Sequence, residues 1–419
     1  MNDKPFPSGA SIAIVGAGII GVASAFELSR RGYQVTVYDD NAVGEGGPSR
    51  ANAGHIVGSD IHPLSTPGIH RKALRMLMNA DAPLKIPLRD SLAQIPWFWR
   101  FWRTSQGKRF LKATQALSYL SHHTLTDVQA MFKSANMADK VTLKSCAFLY
   151  DTNASFNASQ ASWAEKMVMG IESDPMTEAQ IRCQIPLVSD DFKQGVLSHN
   201  WAIVSDPLEV VQSLAEAAKK NSVEFKPIRV ENLRELKNSV QLQTTAGQFN
   251  HDGVIISAGV HSKKIAQGCG DFLPVTAERG YNITLPTPGE ILERPLVFAD
   301  RGIVATQLTS GLRIGGWAEY APPHRPANQA HFKSIARISA ELFPRANFEK
   351  AIFWMGSRPS MPDSVPVISK SAKSMRIFYN CGHGHYGLSF AASSARIVSD
   401  MISGENVDNV YQHYSIQRF

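Results

Sequence analysis

An apolar run, Ser11 to Val15, meets Gly16-Ala17-Gly18-Ile19-Ile20-Gly21 and then a helical pattern, VASAFELSRRG, closed by Gly32. A second apolar run, Gln34 to Tyr38, ends in Asp39 and Asp40. Strand, glycines, helix, strand and terminal acid form a whole βαβ unit, which commits this part of the chain to a Rossmann-like α/β layer. Each glycine has a physical reason. Gly16 permits the tight turn, Gly18 lets the backbone approach a pyrophosphate, and Gly21 lets helix and strand pack closely. The helix, opened by Ile19 and Ile20, points its N-terminus at the diphosphate, and Asp39 lies near the interval at which an acid binds a ribose hydroxyl.

Dehydrogenases that use NAD usually complete the sheet with further βα units, whereas here GEGGPSRANAGHIVGSD follows Asp39 almost at once. Small and polar residues from Gly44 to Gly58 suit a chain that passes close to a large planar cofactor. Ser49-Arg50-Ala51-Asn52-Ala53-Gly54 resembles the TSxANAG segment of the D-amino-acid oxidase superfamily, in particular of bacterial D-amino-acid dehydrogenases of the small-subunit type. The resemblance continues through HPLSTPGIHRKALRML, LPVTAERGYNITL and LRIGGWAEY, so it covers essentially the whole chain. It implies FAD, held noncovalently, in a fold of the α/β plus α+β class: a Rossmann-like FAD-binding domain with an inserted antiparallel-sheet substrate domain. The expected division is 1–80, 200–265 and 355–419 for the FAD-binding domain, and 81–199 and 266–354 for the substrate domain.

The same resemblance places Val230 near the adenine, and Ala258-Gly259, at the end of the buried run HDGVIISAGVHS, near the diphosphate. Gly382-His383-Gly384 and Gly387 match its GHGxxG element, with Leu388 opening a helix whose amides face the anionic side of a reduced flavin. His385-Tyr386 depart from the frequent Thr-Leu, and His55 replaces a glutamine common after ANAG; these become candidates for substrate preference. Arg358-Pro359 followed by Pro362-Asp363 resembles the RPxxPD element, whose arginine binds the substrate carboxylate. A guanidinium suits that task because its planar fork makes two parallel charge-assisted bonds; the alternative is an arginine paired with Asp363 or another carboxylate. Tyr281 matches a position at the edge of the active site, able to bond a substrate carboxylate or amine, or else is a strand tyrosine satisfied within the protein.

The chain carries no second GxGxxG for NAD(P)H, so the organic substrate itself is expected to reduce the flavin, and the absence of CxxC argues against a disulfide reductase. The expected reaction is oxidative deamination of a D-amino acid, or of a cyclic D-imino acid such as D-proline or hydroxy-D-proline, by hydride transfer to flavin N5. Electrons then pass to a quinone or another acceptor. The alternatives are a glycine or sarcosine oxidase that uses oxygen, and a flavin-containing subunit of a hetero-oligomeric complex.

The 419 residues, 43% hydrophobic and 19% charged, are enough for about two or three structural units with a sizeable core. A net charge of +7 with dispersed Lys and Arg gives no nucleic-acid footprint. Four scattered cysteines suggest free thiols, although Cys381 lies close enough to the expected ring to keep a covalent flavin open. His383 and His385 lack further ligands at metal-site spacing, so no metal is expected. The first ten residues do not read as a signal peptide and no apolar run reaches membrane-spanning length, which points to a cytoplasmic protein. SLAQIPWFWRFWRTS crowds Trp97, Phe98, Trp99, Phe101 and Trp102 together. Such a helix is either buried between domains or inserted into a membrane interface beside Arg100 and Arg103. The second reading would make the protein peripheral on the inner face of the cell membrane, and a homo- or hetero-oligomer is compatible with either. Strands are expected at Thr142 to Tyr150, Tyr281 to Leu285 and Leu312 to Trp317, and helices at Asn153 to Arg182 and from Asp206-Pro207 to Lys220, with Asp206 as N-cap.

Overall fold

A computed structural model of the chain describes residues 6–69, 84–289, 291–405 and 409–419. The stretch HPLSTPGIHRKALRML from His70 on, and the expected domain boundary after residue 80, lie outside the described residues.

The N-terminal βαβ unit forms the centre of a six-stranded sheet, in the order Glu224–Lys226, Gln34–Tyr38, Ser11–Val15, Gly253–Ile256, Ile377–Cys381, Val367–Lys370. All neighbours are parallel except the last pair. The chain runs from Ser11–Val15 first to one side and later to the other, so the glycine loop opens at a topological switch point, where such sheets bind ligands. The helices Ile19–Arg30, Pro207–Lys220 and Gly387–Ser403 cover the sheet through one buried cluster that includes Leu28, Leu214 and Ala395. Asp206 caps its helix as expected, accepting the Leu208 N–H at 2.9 Å, with Pro207 in the first turn.

The helix Gly107–Ser134 joins the same cluster, although the sequence reading gave it to the substrate domain. Its stripe of Ala113, Ala116, Leu117, Leu120, Thr124 and Val128 recurs at helical spacing and is buried. The Tyr414 hydroxyl fastens it by donating to the Ala116 carbonyl at 2.7 Å.

A nine-stranded sheet forms the second layer, in the order Ile352–Ser360, Thr276–Leu285, Gly311–Tyr320, Ile303–Leu308, Leu296–Phe298, Cys146–Tyr150, Gln194–Ser198, Ser173–Thr177, with Leu84–Lys85 beside Gly311–Tyr320. It is antiparallel apart from two parallel pairs. The expected boundary at 354/355 falls inside Ile352–Ser360, so Arg358 is carried by this sheet. Two expected elements divide. Val141–Leu143 leaves the run Thr142 to Tyr150 to pair with Trp201–Val204, which also pairs with His55–Val57. The segment Asn153 to Arg182 is interrupted at Gly170, which has a positive φ of 82°, and by the strand Ser173–Thr177. Pro175 is tolerated there because the strand lies at the sheet edge.

Candidate active site

At the nucleotide end, the glycines do steric work that can be read off the coordinates. Gly16 has φ +112°, and a Cβ there would sit 2.5 Å from the Ser257 carbonyl oxygen. A Cβ on Gly21 would lie 1.9 Å from the Gly16 oxygen. The Ala17 N–H donates to Asp39 Oδ2 at 2.8 Å, and the Ile19 N–H donates to Ser49 Oγ at 3.0 Å, which pins the segment around Ser49 to the helix N-terminus. Gly18 faces the same hydroxyl: a Cβ would stand 3.1 Å from it. Ala258 and Gly259 open the turn that follows Gly253–Ile256, and Val230 begins a buried strand end beyond it. Asp40 and Arg50 point away to ion pairs with Arg229 and Glu45.

From this loop a cavity of about 980 Å³ extends along the nine-stranded sheet. Six neighbouring strands, from Arg358 on one to Phe148 on the last, supply lining residues. At ~4.8 Å between strands this makes it roughly 24 Å long. Its other wall consists of Ser49, Ala51, Asn52, Ala53 and His55 together with Gly384 to Leu388. The two walls are fastened through the backbone of the ANAG segment. Asn282 Nδ2 donates to the Ala51 carbonyl at 2.6 Å and Arg313 Nη1 to the Asn52 carbonyl at 2.9 Å. Gly54, at φ +72°, turns the chain past Leu308. His55 is bonded to the Thr306 hydroxyl and burial lowers its pKa to about 4, so it is a neutral ring.

This shape fits a flavin on two counts. Glycines 315, 316, 384 and 387 line the slot, leaving room for a flat ring. The 17-residue helix Gly387–Ser403 begins at the cavity wall with no side-chain cap, so its first amides are available to a partial negative charge such as a flavin N1–C2 carbonyl edge. His383, expected in that device, does not line the cavity. Its imidazole is buried beneath the loop and is held neutral with its pKa lowered to about 3 by burial. Gly382 needs its left-handed φ of +78°, and a Cβ there would meet the Met361 side chain at 2.7 Å. Cys381 also lies off the cavity, in a core with Met361 and Tyr379, where burial pushes its thiol up to about 12; that gives no support to a covalent flavin.

At the far end, Arg358 and Glu278 stand opposite each other across paired strands. Arg358 Nη1 donates to Glu278 Oε1 at 3.2 Å and to the Trp317 carbonyl at 2.9 Å, and the side chain remains 22% exposed on the cavity. Two backbone devices aim it. Trp317 and Ala318 oppose Gly280 alone in a bulge, and Trp317 takes a left-handed φ of 70°, which turns its carbonyl toward the guanidinium. Gly280 leaves space: a Cβ there would be 2.2 Å from Arg358 Nη2. The expected alternative was a pairing with Asp363 or another carboxylate: Asp363 is paired with Arg418 at 2.7 Å, and the carboxylate on Arg358 is Glu278.

Glu278 is only 1% exposed. Despite burial, the adjacent His385 and Arg358 and a hydrogen bond from Ser360 lower its pKa to about 2, so it is a carboxylate. The Tyr281 hydroxyl, expected at the substrate's carboxylate or amine, is committed elsewhere. It donates to Glu319 at 2.6 Å and accepts the Asn328 N–H at 3.1 Å, inside a buried network with Arg279 and His331, which matches the other expected role, a strand tyrosine satisfied within the protein. His385 and Tyr386 both line the cavity; Tyr386 is buried against Phe390, with ring centroids 5.3 Å apart.

The aromatic segment forms the helix Leu88–Thr104 and divides its rings between buried and exposed positions. Trp97 and Phe98 pack on Tyr320 at 5.2 and 5.0 Å, closing this end of the cavity. Leu92, Ile95, Trp99 and Trp102 are exposed, with Arg103 over the Trp99 ring at 4.3 Å. Sequence reasoning passed over Glu278, Tyr320, Trp317 and Trp354, all of which line this end. A charged pair, Glu278-Arg279, inside an otherwise uncharged and wholly buried strand was the available signal.

The family described as DAO, FAD dependent oxidoreductase, matches residues 11–401. Among curated proteins, a D-amino-acid oxidase of Bradyrhizobium diazoefficiens is 26% identical, over 99% of this chain and all of that protein. A D-amino acid dehydrogenase of Rhizobium rhizogenes is 27% identical over 97% and 99%. Among solved structures, glycine oxidase from Geobacillus kaustophilus superposes with a TM-score of 0.78 at 17% identity, covering 98% of this chain and 99% of that one. The L-proline dehydrogenase from P. horikoshii gives 0.74 at 16%, covering 99% of each. With the glycine loop, the flat slot and the matched length in agreement, the chain belongs to the DAO family of FAD-dependent oxidoreductases.

Proposed function

We propose that the protein is an FAD-dependent D-amino-acid dehydrogenase, with an apolar or cyclic D-amino or D-imino acid, D-proline or hydroxy-D-proline among them, as substrate. The observation that carries this reading is the Arg358 guanidinium, buried in part and aimed by Gly280 and Trp317 into the end of the cavity. It is suited to hold a carboxylate at a fixed place beside the slot. Phe98, Tyr320 and Trp354 give that end aromatic walls, which match an apolar or ring side chain and leave the bare α-carbon of glycine without a partner. Flavin, when bound, would take up the two electrons of the Cα–H bond as the amine becomes an imine. The chain's own residues bind the carboxylate, orient the α-carbon and exclude water; the resulting imine hydrolyses in solvent.

Anaerobic mixing of the yellow holoenzyme with a panel of D- and L-amino acids and cyclic imino acids tests this. Bleaching by apolar or cyclic D-compounds is expected, with reoxidation faster by a quinone analogue than by oxygen. Bleaching by NADH, or by L-enantiomers alone, would contradict it.

The exposed Leu92, Ile95, Trp99 and Trp102, flanked by Arg100 and Arg103, support peripheral contact with an anionic bilayer, where a quinone would be reached. No helix among the described residues is long and apolar enough to cross a membrane. The protein is expected to sediment with vesicles of anionic lipid, and Trp99→Ser with Trp102→Ser to abolish this; equal recovery in the supernatant with and without vesicles would remove the proposal.

A further inference from the structure

We infer that His385, oriented by Glu278, accepts the proton of the substrate's ammonium group and so frees the amine for oxidation. This rests on the reading of Arg358 as the carboxylate clamp.

Glu278 is only 1% exposed and both its carboxylate oxygens are already engaged. Its Oε1 takes Arg358 and, at 2.5 Å, His385 Nε2; its Oε2 takes the Ser360 hydroxyl at 2.7 Å and the Tyr320 hydroxyl at 3.4 Å. A carboxylate so enclosed acts through its neighbours, and among those that line the cavity the imidazole of His385 has about a third of its side chain exposed. The carboxylate at Nε2 keeps the proton of a neutral imidazole on that nitrogen. Nδ1, which among the described residues has no hydrogen-bond partner, is left as a lone-pair acceptor. A carboxylate, an imidazole and a free ring nitrogen in line is the arrangement by which a histidine becomes a base and its imidazolium is stabilised.

Charge makes the step favourable. An amino acid arrives largely as a zwitterion, and its carboxylate on Arg358 places the ammonium within the same end of the cavity. In the transfer one substrate N–H bond breaks, its electron pair stays on nitrogen, and an Nδ1–H bond forms. Before it, Arg358 and the ammonium balance Glu278 and the substrate carboxylate; after it, the imidazolium has replaced the ammonium and the balance is unchanged. What the transfer changes is the place of the positive charge, which moves from the substrate nitrogen to a ring bonded to Glu278 at 2.5 Å, where the carboxylate faces it directly. The other groups around the ring do not compete: burial holds the Tyr320 and Tyr386 phenols well above their ordinary pKa and keeps His383 neutral. The FAD of the family then serves as the two-electron oxidant.

The test compares wild type, His385→Asn and Glu278→Gln as holoenzymes of equal FAD content, by the pH dependence of anaerobic flavin reduction at saturating D-proline. In wild type the rate should rise with pH to a plateau. In H385N it should fall about 10²–10³-fold near neutral pH and climb only toward the amine's own pKa. In E278Q the plateau should fall and the shape of the profile should change, because the base has lost the carboxylate that orients it; a merely structural role would lower the rate equally at every pH. Calorimetry with benzoate in buffers of different ionisation enthalpy gives a second readout: proton uptake on binding to wild type, and none to H385N. Profiles of wild type and H385N that superimpose, or equal proton uptake, would overturn the inference. If D-proline and the rest of the panel fail to bleach the wild type, it is the proposed function that has failed instead.

Discussion

Replacing Arg358 by alanine is expected to weaken substrate binding and flavin reduction together, lowering their ratio by about 10³-fold, while the protein keeps its FAD. The size follows from losing a charge-assisted, doubly hydrogen-bonded clamp, on the order of 2–4 kcal/mol, and from the misplacement of the α-carbon that results. The protein also loses a partner of Glu278, whose remaining donors are His385, Ser360 and Tyr320. Arg358→Lys should recover only part of the loss, since an ammonium supplies the charge but not the planar fork. Gly280→Ala offers the complementary case: the added methyl falls within the guanidinium, so a normal Arg358 is pushed aside and affinity should drop without loss of charge. Rapid mixing under anaerobic conditions measures all three, and unchanged affinity and rate in R358A would remove the clamp assignment.

Gly21→Val is expected to yield protein without bound flavin. A side chain there begins 1.9 Å from the Gly16 carbonyl oxygen, a backbone atom that cannot swing away. To make room, the helix Ile19–Arg30 must lift off Ser11–Val15, and with it the amides of the glycine loop and the Ser49 contact to Ile19. Overpacking of this kind costs typically 1–3 kcal/mol or more. The absorbance ratio of flavin to protein after purification, together with the melting temperature, measures the effect. A fully yellow variant with unaltered melting would show that the glycine is not required for close packing.

How much of this was legible beforehand depended on the range of the interactions concerned. The βαβ unit could be read because its signals are local: glycines at fixed offsets, a helix between two apolar runs, an acid at the second strand end. The Asp206-Pro207 helix start was likewise written within a few residues. What escaped was set by pairing across the sheet. Glu278 and Arg358 lie 80 positions apart, and only the register of Thr276–Leu285 on Ile352–Ser360 brings them face to face. The commitment of the Tyr281 hydroxyl to Glu319 depends on the neighbouring strand in the same way. The helix Gly107–Ser134 was assigned to the wrong layer because an apolar stripe states that a helix is buried but not against what.

The two histidines of Cys381-Gly382-His383-Gly384-His385 show the limit most clearly. Neighbours in sequence, they sit in different surroundings: one is sealed under the loop, while the other is open to the cavity and bonded to a carboxylate from another strand. Composition and spacing treat them alike. Burial separates them.

The central claim is that an amino acid held by Arg358 reduces the flavin directly, and it is tested most directly by single-turnover reduction with D-proline carrying deuterium at the α-carbon. The account predicts complete anaerobic bleaching by the isolated chain, slowed by the deuterium as a primary isotope effect, and absent with L-proline. Failure of every D-amino and D-imino acid to bleach the flavin, while a nicotinamide or a partner protein does so, would contradict it.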